Sequence, residues 1–382
     1  MKKIYLDNAA TTPVAAEVAQ EISELMQSCF GNPSSIHGHG REAKAILEKA
    51  RRKVSELMGT QPSRIFFTSG GTEADNMAIR QTIAQMGITH VISSPIEHHA
   101  VTHTIEEMVA EGKVSATWLK PDRLGRHSLE ELETALQKNP GCLVSLMHAN
   151  NEIGTCIDLQ AVGQLCRKYG ALFHSDTVQT MGHFELNFDA LPVDMATCSA
   201  HKFHGPKGIG FLYVNLDRVK ISPLITGGAQ ERNLRAGTEN LYGIAALAKA
   251  LELATQGMHE HRQHIYALKM KMAKGLKDLF PDCEFNGSME EADLFTVLNV
   301  SLPPTPDAEM FLMKLDIHGI SASGGSACSS GSQKGSHVLS NIGAPEGRPA
   351  IRFSFSRYNQ TEDVDYALEV LKKIWKPLVQ NA

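Results

Sequence analysis

The stretch RIFFTSGGTEADNMAIRQTIAQMG, Arg64 to Gly87, carries two halves of one structural unit. Residues 64–70 form a short, nearly continuous apolar run, which predicts a strand. Residues 71–87 carry helix formers and end on Gly87, which predicts a helix closed by a glycine. At the junction, Gly70 and Gly71 remove side chains where the helix begins, and Thr72 adds a hydroxyl. Backbone N–H groups and the helix dipole would there face an anion, the geometry of a phosphate cradle. Taken alone, the same residues also suit a plain glycine-rich turn.

The unit recurs along the chain. HVISSP (90–95), CLVSLMHAN (142–150), ALFHSD (171–176), MATCSA (195–200) and GIGFLYV (208–214) are short apolar runs, and helical segments at 99–111, 128–137 and 158–169 separate several of them. Continuous apolar strands alternating with helices predict a mostly parallel sheet between helices, an α/β architecture. Thr12 and Pro13 predict a helix start, with Val14, Val18, Ile22 and Leu25 on its apolar side. From about residue 240 the texture changes to one long helical region, strand-like pieces at 296–301 and 350–356, and a helix at 361–375. The expectation is a large domain over 13–255 and a smaller α+β domain built from 1–12 and 256–382.

Composition narrows the function classes. The 382 residues carry 37 Lys and Arg against 42 Asp and Glu, a net charge of −5, and the pI is near 6.4. Without a basic patch or a long apolar run, neither nucleic acid nor a membrane is an expected partner. The opening MKKIYLDNAATTP lacks the apolar stretch of a signal peptide. Seven cysteines, an odd number with no C-x-x-C pair, speak against a disulfide framework or zinc site and for a reducing cytoplasm. Cys142, Cys166 and Cys198 sit in core-like patterns. Cys328 does not: it lies in SASGGSACSSGSQKG (321–335), where small residues offer reach and no core.

Ligands of α/β sheets collect at the carboxyl ends of the strands. The residues expected at those ends are His98, then Asn150 and Asn151, then Asp176 and Gln179, then Ser199, His201 and Lys202. A lysine at a strand end suits a Schiff base with an aldehyde, because crowded cations lower its pKa. An aspartate on the neighbouring strand would keep a pyridinium nitrogen protonated, the requirement of pyridoxal 5′-phosphate chemistry. Singly, Lys202 reads as well as a surface lysine and Asp176 as a helix cap. Their order on successive strand ends favours the cofactor.

The motifs YLDNAATTP, GNPSSIHGHGR, FTSGGTEADN, EHHAV, HANNEIGT, HSDTVQ, SAHKFHGPKGIG, GGAQERNLRAGTEN, SGGSACSSGS and IRFSFSRYN span nearly the whole chain. In them the chain resembles the NifS/IscS-like cysteine desulfurases, within the class V aminotransferase-like, fold-type I pyridoxal-phosphate enzymes. The resemblance implies a homodimer with active sites at the subunit interface. It makes Lys202 the Schiff-base lysine, Asp176 the partner of the ring nitrogen and Gln179 the donor to the ring hydroxyl. His98 stacks on the ring, and Asn151 lies near ring and substrate. Gly71, Thr72, Ser199 and His201 contact the phosphate, with Thr238 supplied by the other subunit. Arg352 grips the α-carboxylate of L-cysteine; IRFSFS independently places it on the strand face opposite Ile351, Phe353 and Phe355. The implied reaction yields L-alanine and a persulfide on Cys328, on a loop at about 321–335, for a sulfur-acceptor protein such as an iron–sulfur scaffold or thiolation carrier. The sequence ends seven residues after Trp375, shorter than housekeeping members with a C-terminal docking extension, so the acceptor stays open. A selenocysteine lyase or another class V aminotransferase would use much of the same apparatus.

Overall fold

The computed structural model describes residues 2–306, 308–324 and 335–375. The strands, in chain order, are β1 (Ile4–Tyr5), β2 (Ile65–Thr68), β3 (His90–Ser93), β4 (Ser115–Trp118), β5 (Leu143–Ser145) and β6 (Leu172–Asp176). They continue as β7 (Met195–Ser199), β8 (Gly210–Val214), β9 (Glu284–Asn286), β10 (Val297–Ser301), β11 (Ile320–Ser321) and β12 (Ala350–Ser354). The main sheet has seven strands in the order β2-β8-β7-β6-β5-β3-β4. Only β8 runs against the rest, being antiparallel to both β2 and β7.

Neighbouring residues of each strand face opposite sides, and both sides are covered. Phe67, Ile92, Val144, Phe173, Ala196 and Phe211 join one core, with helices Ala16–Ser28, Gly38–Leu57 and Leu241–Gln256. Phe66, Val91, Leu143, Leu172, Met195 and Leu212 join the other, with helices Gly71–Met86 and His99–Ala110. This two-sided burial is why the strands read as unbroken apolar runs. Strand β4 escapes that reading because it is an edge strand with polar alternation. The ring nitrogens of His90 hydrogen-bond Ser115 Oγ at 2.7 Å and Thr117 Oγ1 at 2.9 Å.

A third core takes Ile4 and Leu6 from the N-terminal segment together with Leu268, Met272, Phe295, Leu298, Ile351, Phe353, Val364 and Ala367. Its scaffold is the antiparallel sheet β12-β10-β9, packed by helices Met258–Leu279 and Thr361–Ile374, while β1 pairs with β11 in parallel. The long helical region is two helices, interrupted at Gly257. The first helix starts at Ala16, later than Thr12-Pro13 predicts, and Ala15 offers no capping side chain. Thr12 ties two segments together instead: its Oγ1 donates to His201 O at 2.9 Å and accepts from His204 N at 2.8 Å. That bond competes with helix capping and fixes residues 9–12 beside the turn bearing Lys202.

Candidate active site

The carboxyl ends of β5, β6 and β7 and the start of helix Gly71–Met86 enclose a cavity of about 240 Å³. Lys202 enters it from the 3₁₀ turn Ala200–Lys202 that directly follows β7. Its Nζ donates to Ala9 O at 2.6 Å and Ala10 O at 2.9 Å. Asp176, the last residue of β6, is buried, and its Oδ1 accepts from Val178 N at 2.9 Å. Burial lifts its pKa to about 6, against the pull of the Val178 N–H and Lys202. Asp75 joins it from the sheet-facing side of helix Gly71–Met86. Burial and the neighbouring Asp176 hold Asp75 well above the ordinary carboxylate range. One side-chain N or O atom from each of Asp75, His98 and Asp176 lies within 4.8 Å of the others.

His98 caps helix His99–Ala110, its Nδ1 accepting from Ala100 N at 3.1 Å. Burial first, then Lys202 and neighbouring histidines, lower its pKa to about 4. The ring is therefore neutral, and with Nδ1 used as an acceptor its proton sits on Nε2.

At the other end, Gly71 and Thr72 open a helix that has no side-chain cap among the described residues. A Cβ on Gly71 would meet Val178 Cγ2 at 2.9 Å and Ser199 Cβ at 3.7 Å, so only glycine keeps this approach open. Ser199 and His201 line the same end. Gln179 lies beside Lys202 and donates its amide to Ala9 O at 3.1 Å. Thr238 is not brought to this cavity. It is exposed, on a separate shallow depression shared with Arg235 and Glu239.

Arg352 closes the cavity from β12 and is 1% exposed. Nη1 donates to Asn151 O at 3.0 Å and Nη2 to Asp7 Oδ1 at 2.9 Å. Its Nε is buried without a hydrogen-bond partner among the described residues, a donor left for a ligand. Asn151 lines the cavity as well as holding the guanidinium with its carbonyl.

Sequence reasoning assigned no role to Asp7, Asp75 or Glu152. Asp75 had a legible signal, a carboxylate amid Ala74, Met77 and Ala78 on the buried helix face. Asp7 and Glu152 lie within quoted motifs, yet no periodicity marks them. Glu152 and His337 line the cavity, and Glu152 accepts from Ser336 Oγ. Asp7 Oδ1 also accepts from Ser323 Oγ at 2.8 Å. Cys328, the expected nucleophile, and most of its expected loop lie outside the described residues.

Residues 4–367 match the model of the aminotransferase class-V family. The cysteine desulfurase IscS of Dictyoglomus turgidum is 41% identical over 384 residues, covering 99% of this chain and 95% of that protein. A solved NifS-like protein superposes with a TM-score of 0.90 at 37% identity, covering 98% of this chain and 99% of its own. A structure described as SspA in complex with cysteine superposes at 0.80 with 30% identity, covering 94% of this chain and 100% of its own.

Proposed function

This chain belongs to the aminotransferase class-V family and its IscS/NifS-like cysteine desulfurases, and from that premise we propose the reaction and the residues that perform it. It takes the sulfur of L-cysteine, releases L-alanine and leaves a persulfide on Cys328. The observation that carries the reading is one cavity gathering the Lys202 amine, the buried Asp176 carboxyl, an uncapped helix N-terminus and the Arg352 guanidinium.

Those groups fit pyridoxal 5′-phosphate. A buried carboxyl short of positive charge complements a pyridinium N–H, and the cradle at Gly71 complements a phosphate. Asp176 and Gln179 would hold the ring, His98 would cover it with a neutral face, and Asn151 would border it. Gly71, Thr72, Ser199 and His201 would hold the phosphate, with Thr238 of a second copy completing it. When bound, the cofactor supplies an electron sink for the charge left at an amino acid's α-carbon.

The chain's own residues do the rest. Arg352 receives the substrate carboxylate through Nε–H and the guanidinium hydrogens that Asp7 and Asn151 leave free. That contact orients the substrate Cα toward Lys202. The Lys202 amine takes the α-proton and returns it to the substrate carbon, with Ala9 O and Ala10 O fixing its approach. The Cys328 thiolate attacks the substrate sulfur, so an S–S bond forms as the C–S bond breaks; the electron pair of that bond stays on the carbon side, which takes a proton from solvent and leaves as alanine. A second thiol, on an iron–sulfur scaffold, a thiolation carrier or a reductant, then takes the outer sulfur and frees the Cys328 thiolate.

The same reading places the enzyme in the cytoplasm as a homodimer, with a large cofactor-binding domain over 13–255 and a small domain from 1–12 and 256–382. No helix among the described residues is long and apolar enough to cross a membrane. The test is release of alanine and sulfide from L-cysteine in equal amounts. Lys202→Ala should abolish both together with the visible absorbance of the bound cofactor. Alanine formation undiminished in that variant would refute the assignment.

A further inference from the structure

Strand β2 is an edge strand whose outer side is closed by side chains. Its strand partner is β8. On the opposite edge, Arg51 Nη1 donates to Ile65 O at 2.8 Å, Phe67 N donates to Glu231 Oε2 at 3.0 Å, and Ser69 N donates to Glu73 Oε2 at 2.8 Å. Residues 65 and 67 alternate along the strand and Ser69 lies one residue past its end, so these are successive outward-facing backbone groups along one edge. The last of them directly precedes Gly70 and Gly71.

Each carboxylate in this row is gripped by an arginine. Arg51 holds Glu231 in a fork, Nη1 to Oε2 at 2.8 Å and Nη2 to Oε1 at 2.7 Å, with both side chains buried. Arg235 holds Glu73 through Nε to Oε1 at 3.0 Å and Nη2 to Oε2 at 3.4 Å. Both Glu231 and Arg235 come from one short segment. It starts with three consecutive left-handed residues, Glu231 (φ 45°), Arg232 (φ 58°) and Asn233 (φ 67°). Non-glycine residues keep such a backbone only where their surroundings fix it, and the buried Arg51–Glu231 fork is what fixes it here. Arg235 is thereby delivered to Glu73.

Glu73 is the acidic residue in the first turn of helix Gly71–Met86. A carboxylate there suits the helix dipole but repels a second anion arriving at the same N-terminus. We propose that Arg51, Glu231, Arg235 and Glu73 form a positioning brace for the Thr68–Gly71 turn, in which Arg235 neutralises Glu73 so that a phosphate group can occupy the cradle. The proposal rests on the cofactor reading above, and it assigns these four residues a role in selecting the phosphorylated form of the cofactor. They reach no reacting atom and act only through the backbone of the turn and its local charge.

The test compares pyridoxal 5′-phosphate with pyridoxal, which lacks the phosphate, on the full chain freed of ligand. Affinity for each is read from the visible band formed with Lys202. Arg235 and Glu73 side chains are 25% and 9% exposed, and thermal melting verifies that each variant folds. Arg235→Ala should reduce the preference for the phosphorylated form by about tenfold, the factor that 1.4 kcal/mol represents, while pyridoxal affinity holds. Adding Glu73→Gln to Arg235→Ala removes the stranded charge and should restore most of that preference; Arg235→Lys should restore part of it. Equal loss for both ligands, an unchanged preference in Arg235→Ala, or no recovery in the double variant would overturn the brace. If the wild-type chain forms no band with either ligand, the cofactor reading fails, and the brace falls with it.

Discussion

Replacing Asp7 by asparagine separates two things this carboxylate does for Arg352. Asp7 Oδ1 accepts from Arg352 Nη2 at 2.9 Å and from Ser323 Oγ at 2.8 Å. An amide oxygen can accept both bonds, so Asp7→Asn removes the charge and leaves the geometry. Without substrate, the nearly inaccessible guanidinium loses its ion-pair partner. Deleting one member of a buried pair costs about 3–5 kcal/mol. Here the hydrogen bond survives and the Asp7 side chain is 18% exposed, so about 1–2 kcal/mol is expected. With substrate, the sign reverses. Two carboxylates sharing one guanidinium, about 6 Å apart, repel by roughly 3 kcal/mol at an effective dielectric constant near 20. Solvent at Asp7 reduces this to about 1 kcal/mol, a factor of roughly five in affinity. Asp7→Asn should therefore melt at a lower temperature than wild type and bind an amino-acid carboxylate about five times more tightly. The assay is the inhibition constant for L-alanine, paired with thermal melting in its presence and absence. Weaker or unchanged alanine binding would refute the reasoning and make Asp7 purely a device for orienting Arg352.

Arg352→Lys keeps the charge but loses the planar fork and its bonds to Asn151 and Asp7. The KM for L-cysteine should rise by roughly 10- to 100-fold, with a smaller change in kcat, measured by alanine release. Gly71→Ala places a methyl group against Val178 at the cradle. It should weaken retention of pyridoxal 5′-phosphate by about tenfold while pyridoxal binding changes little. Acid should destabilise the fold below pH 6.5. Burial drops His174 to about 3, and His98, His127, His148, His183, His201 and His204 to about 4. Each stays neutral when folded but takes a proton when unfolded, so its contribution is intact above pH 6.5 and is lost as pH falls toward those values. For His174 the loss reaches about 3 kcal/mol at pH 4. The raised pKa values of Asp75, Glu97, Glu152 and Asp176 act in the opposite direction. The histidines outnumber them, so urea unfolding should show stability falling from pH 6.5 to 4; a flat profile would contradict this.

The parts of the fold legible in the sequence are those in which burial on both faces forces unbroken apolar runs. Strands β2, β3, β6, β7, β8, β10 and β12 all fall within predicted segments. Pairs such as Phe66 and Phe67, or Val91 and Ile92, divide between two cores and leave no polar alternation to confuse the reading. β4 and β9 were missed because most of their residues are exposed or half-buried, so no unbroken apolar run marks them. Thr12 misled because a hydroxyl before a proline promises a helix cap locally, whereas His201 and His204 claim it from far along the chain. Within the cavity, polar residues were visible as exceptions to apolar runs: Asp176 and Lys202 at strand ends and Arg352 inside β12 are the clearest. Asp7 and Glu152 were not: Asp7 matters only where the N-terminal segment meets β12, and Glu152 only where its loop meets Ser336. Nothing local marks either meeting.

The central claim is that sulfur leaves L-cysteine through Cys328. The direct measurement is mass spectrometry of the intact chain after brief exposure to L-cysteine, with peptide mapping, on wild type and Cys328→Ala. The account predicts one added sulfur on Cys328 in wild type. It predicts loss of that sulfur and of sulfide release in Cys328→Ala, with the visible band of the Lys202-bound cofactor intact. A Cys328→Ala chain that still turns over L-cysteine at the wild-type rate, or a persulfide borne by another cysteine, would contradict it.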